Sequence, residues 1–556
     1  MELGTRGRKS QTRCLKTPWG LGARAWVGGP PPDLFPQPKP ARGPVPKDPL
    51  SPKTLRQLLA GLEGCQVLGD DRLLIPSLAY HSQEVVPGGI FVALKGLRTD
   101  GHHFVDAAIS RGARVIVTAQ EPGSWPGVTV VKVPEARLAL AHLSAAFYDH
   151  PSRELVLVGI TGTNGKTSTT YLLEAILAAA GHQVGVVGTV NYRVGRHTWP
   201  APVTTPESLD LQRLLRDMRV RGVSHVALEV SSHALDLRRV DGATFAAGVF
   251  TNLSQDHLDY HLNLDDYFAA KARLFREILV NGAAPHGLAV INLDDPRGAE
   301  LAAQVTAPTL TYGCQPLSQV RPLFSRFRLD GLEVRLTSPA GEMEINSRLV
   351  GPFNLANILA AAATALGLGV SPEEVASGVA ALEGVPGRLE RFGPKEGPSI
   401  FVDYAHTPAA LAQALAALQT LHFTRLLTVF GCGGDRDRTK RPLMGAAAAA
   451  ASHLVVVTSD NPRTEDPLAI ITQIEPGLKI SGLPRLTAAA ARRGERGYLV
   501  VPDRRQAIRL AVDLAGPGEA VLVAGKGHEN YQIWGQERRH FDDREEVRAA
   551  LKEHHG

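Results

Sequence analysis

A lysine and a hydroxyl residue behind closely spaced glycines can hold the phosphates of a nucleotide, and residues 161–168 supply that set. Thr161-Gly162-Thr163-Asn164-Gly165-Lys166-Thr167-Ser168 follows the apolar run 155–160 and leads into a helical pattern over 168–180. In that context the loop amides from Gly162, Thr163, Asn164 and Gly165 to Ser168 face an anion, Lys166 reaches the terminal phosphates, and Thr167 can hold Mg²⁺. The first glycine of the longer phosphate-loop pattern falls on Ile160, so the match is to Gly-x-x-Gly-Lys-Thr. Alone, Gly-Lys-Thr is often only a turn; strand, loop and helix in order select phosphate binding.

Other polar clusters also stand just beyond apolar runs. They are Glu229-Val230-Ser231-Ser232-His233, the segment from Thr251 to His261 containing His257, and a helical stretch with Tyr267 and Lys271. Later runs end in Gly433-Gly434-Asp435-Arg436-Asp437, Ser459-Asp460-Asn461-Pro462-Arg463-Thr464-Glu465 and Gly525-Lys526-Gly527-His528-Glu529. Each residue has a plainer reading: Glu229 as a strand-end charge, His257 as a helix cap, Lys271 as a solvated helix face, Asn-Pro as a turn. Hard oxygen ligands beside a phosphate loop suit phosphoryl transfer, because oxyanions repel unless cations lie between them.

The elements that must position these groups alternate β and α. Apolar runs 90–94, 115–117 and 128–131 with a helical pattern over 134–148 predict a small α/β N-terminal domain at 51–152. Runs 155–160, 223–230, 245–250 and 288–291 with an Ala-rich helix over 354–366 predict a central P-loop ATPase-like domain at 153–384. Runs 400–402, 426–430, 454–457, 498–501 and 520–523 predict a C-terminal Rossmann-like domain at 385–556. The alternation implies parallel, mostly doubly wound sheets in the second and third, with ligands beyond the carboxyl ends of the strands.

Composition excludes several function classes. Apolar residues make up 44% and charged residues 21% of the 556, and no apolar run of about 18 residues predicts membrane insertion. Four cysteines without paired spacing indicate neither a disulfide framework nor a zinc site, so a reducing cytoplasm is expected. The net charge of +5 is concentrated in residues 1–50, which hold nine Lys/Arg against three Asp/Glu. The remainder has 51 basic and 52 acidic residues and no electrostatic footprint for nucleic acid. Ten prolines and no apolar period make 1–50 read as a disordered arm without a secretory signal; the alternative is that translation begins near Val45 or Leu50.

The sequence Thr-Gly-Thr-Asn-Gly-Lys-Thr, followed in order by the segments at 229–233, 251–261 and 267–275, resembles the Mur ligases and their relatives that add amino acids to folates. The resemblance spans roughly 51–556. It implies catalytic roles for Lys166, Glu229, His257 and Lys271, with Mg²⁺ held by Thr167, Glu229, His257 and a carbamylated Lys271 (N6-carboxylysine). The segment Tyr80-His81-Ser82-Gln83-Glu84 is similar to the uridine-nucleotide segment of diaminopimelate- or lysine-adding members, with His81-Ser82-Gln83 where Asp-Ser-Arg is usual. UDP-substrate contacts are thereby implied for Ser82, Thr204, Thr205, Ser231 and Arg239. Arg388, Asp403 and Asn357, with neighbouring Asn354, are implied at the nucleotide. Arg436, Asp460, Asn461, Pro462, Arg463, Gly525 and Glu529 are implied at an amino-acid substrate, where arginines meet carboxylate and Glu meets ammonium.

The resemblance implies a cytoplasmic, monomeric, ATP-dependent amide-forming ligase of peptidoglycan precursor synthesis. ATP would phosphorylate the D-Glu carboxylate of UDP-N-acetylmuramoyl-L-alanyl-D-glutamate, and the amine of meso-diaminopimelate would then displace phosphate. The rivals are a lysine-adding or folate-type ligase, a P-loop kinase or NTPase that forms no amide, and an inactive binding protein. The uridine-type segment argues against folate, and the presence of Lys166, Glu229, His257 and Lys271 argues against inactivity.

Overall fold

The computed structural model describes residues 51–555 apart from 97, 98, 122, 258, 259, 281–286 and 395; the expected arm lies outside them. The phosphate loop sits at the centre of an eight-stranded sheet. Its strand order is His197–Trp199, Tyr192–Val194, Val184–Val187, His225–Glu229, Val156–Thr161, Ala247–Phe250, Leu288–Asn292 and Thr309–Tyr312. The last six of these strands are parallel, and the first two form an antiparallel hairpin edge. Strands buried on both faces read as continuous apolar runs, which is why Val156–Thr161, His225–Glu229, Ala247–Phe250 and Leu288–Asn292 are located from the sequence to within a few residues.

The helix Lys166–Ala179 leaves the loop and buries Leu172, Leu173, Ile176 and Leu177 against this sheet. Two more helices cover it. Phe353–Gly367 is rich in alanine, and Pro372–Ala381 opens with a capping box in which Ser371 and Glu374 satisfy each other's backbone N–H groups. Gly378 on the latter lies so close to the phosphate-loop helix that a Cβ there would sit 2.3 Å from Ile176 Cα and 2.7 Å from its nitrogen. Alanine improves an exposed helix by about 1 kcal/mol over glycine. Here the obstacle is backbone that cannot rotate away, and overpacking costs about 1–3 kcal/mol. Gly378→Ala is therefore expected to lower stability, read as a fall in the urea midpoint; an unchanged or raised midpoint would refute the packing argument.

The C-terminal sheet runs Glu390–Phe392, Ser399–Asp403, Ala520–Ala524, Leu426–Phe430, Leu454–Val457 and Gly497–Val500, parallel except for its first strand. Behind the strand ends, Arg504 and Asp543, both fully buried, form a two-bond ion pair at 2.7 Å, and Arg504 also donates to the Ala524 carbonyl. This ties the helix Asp543–His555 to the strand that leads into Gly525. The N-terminal sheet, Gln66–Leu68, Thr129–Lys132, Val115–Thr118, Ile90–Val92 and Leu78–Ala79, is parallel apart from Gln66–Leu68. It joins the central unit through Tyr80 Oη donating to Asp210 (2.6 Å) and Arg137 pairing with Glu207 (3.0 Å).

The strands Val184–Val187, Tyr192–Val194, His197–Trp199 and Thr309–Tyr312 are not among the runs read from the sequence, and two further features depart from that reading. The phosphate-loop helix starts at Lys166 rather than 168, with Gly165 in the left-handed region as its cap. An antiparallel three-stranded sheet, Arg321–Arg328, Gly331–Ser338 and Gly341–Ser347, was not expected at all. No described helix is long and apolar enough to cross a membrane.

Candidate active site

The loop holds its shape through close backbone approaches. Gly162 has φ +147°, and a Cβ on it would lie 1.8 Å from Thr251 Oγ1; Gly165 has φ +87° and faces Asn357 Oδ1. Asn357 donates to Asn354 Oδ1 (2.9 Å), which brings the expected adenine-side amides against the loop. Asn164 N donates to Asn252 Oδ1 and Thr163 N to the Asn252 carbonyl, both at 2.9 Å. Gly165 provides no side chain to cap the helix, so the N-terminal end of Lys166–Ala179, with Thr167 and Ser168 in its first turn, lacks a capping side chain where an anion is expected. Lys166 Nζ curls back to the carbonyls of Gly162 (2.8 Å) and Thr163 (2.9 Å).

Glu229 ends its strand 1% exposed and accepts from three donors: Thr167 Oγ1 (3.1 Å), Thr189 Oγ1 (2.9 Å) and Thr189 N (3.0 Å). Sequence reasoning missed Thr189. It stands two residues beyond the strand Val184–Val187, where the strand-end rule would have found it.

Lys271, on the helix Leu264–Arg273, is 1% exposed and donates to the Gly162 carbonyl (2.9 Å) with its Nζ 4.3 Å from the centre of the Tyr267 ring. It is no solvated helix face. Among the described residues no carboxylate lies within ion-pairing distance of it. Burial first, then the neighbouring Lys166 ammonium, hold the Lys271 amine well below the usual lysine range. His257 is exposed, adopts a left-handed backbone (φ +55°), and packs its ring 5.0 Å from His233 and 6.0 Å from Tyr267.

Thr205, Ser231 and Arg239 come together: Thr205 Oγ1 donates to the Glu229 carbonyl (2.7 Å), Ser231 N donates to Thr205 Oγ1 (3.1 Å), and Arg239 donates to the Thr205 carbonyl (3.1 Å). Thr204 Oγ1 lies 3.1 Å from Thr189 Oγ1. Ser231 also caps the short helix Ser232–Asp236, so the plainer reading of that hydroxyl holds as well. Ser82 lies in the turn Ser82–Glu84 and bonds to none of these four among the described residues; Tyr80, two residues earlier, donates to Asp210 on the helix Ser208–Val220 that follows Thr204 and Thr205.

On the C-terminal side, Arg388 donates to Thr167 Oγ1 across the sequence (3.3 Å) and stacks 4.9 Å from the Tyr404 ring. Asp403 points inward: its two oxygens accept from Leu389 N and Ala405 N, both at 2.8 Å, and burial pushes its carboxyl up despite Arg388. Asn461 donates to Glu529 (3.0 Å), and Arg463 donates to the Gly434 carbonyl (2.7 Å). Gly433 separates two arginines: its Cβ would lie 2.9 Å from Arg463 Nη1 and 3.7 Å from Arg436 Cγ. A Cβ on Gly434 would lie 1.8 Å from the Pro462 carbonyl oxygen, and one on Gly525 would lie 2.7 Å from Asp460 Oδ2. The seven expected amino-acid-site residues thus converge. Unforeseen supports are Arg441, fully buried and bidentate to Glu465, and Lys526 beneath Asn461. Asp435 and Arg463 share the left-handed backbone of His257 (φ +53° and +52°), so three non-glycine residues in this conformation fall at the site.

No cluster of three or more His, Cys, Asp or Glu side chains among the described residues forms a ready-made metal cage. The adjacent oxygens of Thr167 and Glu229 fit magnesium, which takes few protein ligands together with phosphate oxygens.

Three family models match in chain order: Mur ligase family, catalytic domain, over 75–148; Mur ligase middle domain over 160–365; and Mur ligase, glutamate ligase domain, over 387–527. A UDP-N-acetylmuramoyl-L-alanyl-D-glutamate–2,6-diaminopimelate ligase of Geobacter metallireducens is 51% identical over 87% of this chain and 96% of its own length. Its counterpart in Geobacillus thermodenitrificans is 42% identical over 90% of this chain and 99% of its own. A solved structure of a protein so named matches 91% of this chain and all of its own, with a TM-score of 0.66 at 32% identity. Built around a phosphate loop and related along almost its whole described length, the chain belongs to the Mur ligase family, whose members are ATP-dependent ligases.

Proposed function

We propose that this chain joins meso-diaminopimelate to the D-Glu carboxylate of UDP-N-acetylmuramoyl-L-alanyl-D-glutamate, converting ATP to ADP and phosphate, as a cytoplasmic monomer. The observation that carries the reading is the bond between Arg388 and Thr167. It ties the segment that leads into the C-terminal sheet to the phosphate loop, which supports an activated carboxylate and an amine meeting between the two sheets.

Lys166, released from the carbonyls of Gly162 and Thr163, turns to the terminal phosphates, and the loop amides hold the others. Thr167, Glu229, His257 and carbamylated Lys271 would hold magnesium, which when bound draws charge from the phosphates and lets the carboxylate approach. Thr189 keeps Glu229 oriented. Thr204, Thr205, Ser231, Arg239 and Ser82 fix the UDP-substrate, with its carboxylate beside the loop. Asn357, Asp403 and Arg388 border the nucleotide. Arg436, Asp460, Asn461, Pro462, Arg463, Gly525 and Glu529 orient the amine. A carboxylate is a poor electrophile, so activation as an acyl phosphate is required, and closure of the site excludes water from it.

Phosphate release with ATP and the UDP-dipeptide is expected to depend on added amine, with meso-diaminopimelate favoured over L-lysine. Equal release without amine would make the chain an NTPase, and equal use of lysine would overturn the amine assignment alone.

A further inference from the structure

Lys526 is the only residue of the Gly525–Glu529 segment that points wholly into the protein, at 0% exposure. Glycines on both sides make that possible: Gly525 has φ +118° and Gly527 φ +53°, and a Cβ on Gly527 would strike Tyr404 at 2.7 Å. Inside, Lys526 Nζ meets Glu529 Oε2 (3.0 Å) and Asn461 Oδ1 (3.2 Å). Asn461 Nδ2 donates to the same Glu529 oxygen (3.0 Å), and Ile533 N donates to Asn461 Oδ1 (3.0 Å). Both bonds to Glu529 fall on Oε2. The carboxylate is therefore anchored by one oxygen and has its negative charge matched from beneath, with 16% of the side chain still exposed.

Charge balance follows from that arrangement. An amino-acid end bearing both ammonium and carboxylate is neutral, whereas a plain ammonium end is +1. The site's Arg436, Arg463, Asp460 and Glu529 sum to zero, so without Lys526 it would accept either end, because its carboxylates would still attract a bare cation. With Lys526 beneath it, Glu529 serves as a hydrogen-bond acceptor without excess negative potential, and a lone ammonium meets a net positive surface.

We propose that Lys526 is a specificity-determining residue: its buried charge neutralises Glu529 so that the site takes the zwitterionic end of an amine substrate and rejects a purely cationic one. This rests on the ligase reading above. At the effective dielectric of a partly buried site, one charge about 5 Å away changes an ionic affinity by tenfold or more.

The test measures kcat/KM for meso-diaminopimelate and L-lysine in the full chain, with ATP and the UDP-dipeptide. Lys526→Met is expected to reduce the diaminopimelate-to-lysine ratio at least tenfold, through the KM values, while the KM for ATP stays within about twofold. The double variant Lys526→Met with Glu529→Gln removes both charges and is expected to recover much of the ratio, which a role in packing alone would not allow. A single-variant ratio within threefold of the parent, or a double variant no more selective than Lys526→Met, overturns the proposal. If Lys526→Met does not fold, Glu529→Gln alone must exceed the double variant in selectivity by threefold, and equality overturns the proposal. A parent protein inactive with either amine removes the ligase reading and this inference with it; an active, selective parent with unaltered variants removes only this inference.

Discussion

Lys271→Ala is expected to lower turnover about a thousandfold or more, with added formate or acetate restoring part of it. The lysine is enclosed, donates to a phosphate-loop carbonyl, and has a second ammonium, Lys166, as its charged neighbour. An ammonium there would repel a metal ion beside the phosphates. Desolvation pushes the group toward the neutral amine, the form that attacks CO₂ to give a carbamate. The carbamate reverses the local charge and adds an anionic oxygen beside the phosphate loop at Gly162, the type of ligand magnesium takes. ATP affinity is expected to change far less than turnover, since Lys166 and the loop amides remain. An unmodified Lys271 in a high-resolution structure of the active, nucleotide-bound enzyme would sink the carbamate, and near-parental turnover of the alanine variant would sink the role altogether.

The parts of this site that were legible in the sequence are those whose chemistry is local. The phosphate loop is contiguous, and its strand and helix are apolar runs of different period, so Gly162–Thr167 could be placed before any fold was known. The convergence of the three segments at 433–437, 459–465 and 525–529 was legible, because a doubly wound sheet brings strand ends to one edge. Burial and long-range bonding were not legible. A solvated helix face was the plainer reading of Lys271 and nothing in the sequence marks Lys526 as buried; packing encloses both. Asp403 looks like a ligand at a strand end, yet backbone N–H groups of Leu389 and Ala405 occupy both its oxygens, leaving any nucleotide contact to its remaining lone pairs. In the antiparallel sheet over 321–347 the strand Arg321–Arg328 has no buried residue to mark a period, but Leu332, Val334 and Leu336, then Met343 and Ile345, alternate inward, a signal present in the sequence and passed over. Glu465 looked like one polar residue among several in its loop. The fold makes it the acceptor for fully buried Arg441 and for Asp435 N, and the Arg441 guanidinium, first among these, brings its carboxyl down to about 2.

Arg463→Ala is expected to raise the KM for meso-diaminopimelate about 30-fold or more, because removing one partner of a desolvated charge pair costs roughly 2–5 kcal/mol. The side chain is aimed by its surroundings: Nη1 donates to the Gly434 carbonyl, and the residue's own N–H and carbonyl are tied to Ile533 (3.0 Å) and Gly535 (2.7 Å). Its remaining guanidinium donors, with Arg436 across Gly433, suit a carboxylate that lysine lacks. A backbone effect must be separated from this, since φ +52° costs arginine and alanine alike about 1 kcal/mol, and in alanine no side-chain bond to Gly434 holds the loop in it. Glycine adopts that conformation freely. Arg463→Gly is therefore expected to lose as much diaminopimelate affinity as Arg463→Ala, while Arg463→Lys, which keeps the charge without the planar fork, falls between them and the parent. ATP KM should move little in all three. A loss confined to the alanine variant would assign the effect to loop strain, and unchanged discrimination against lysine in all three would show that the distal carboxylate is bound elsewhere.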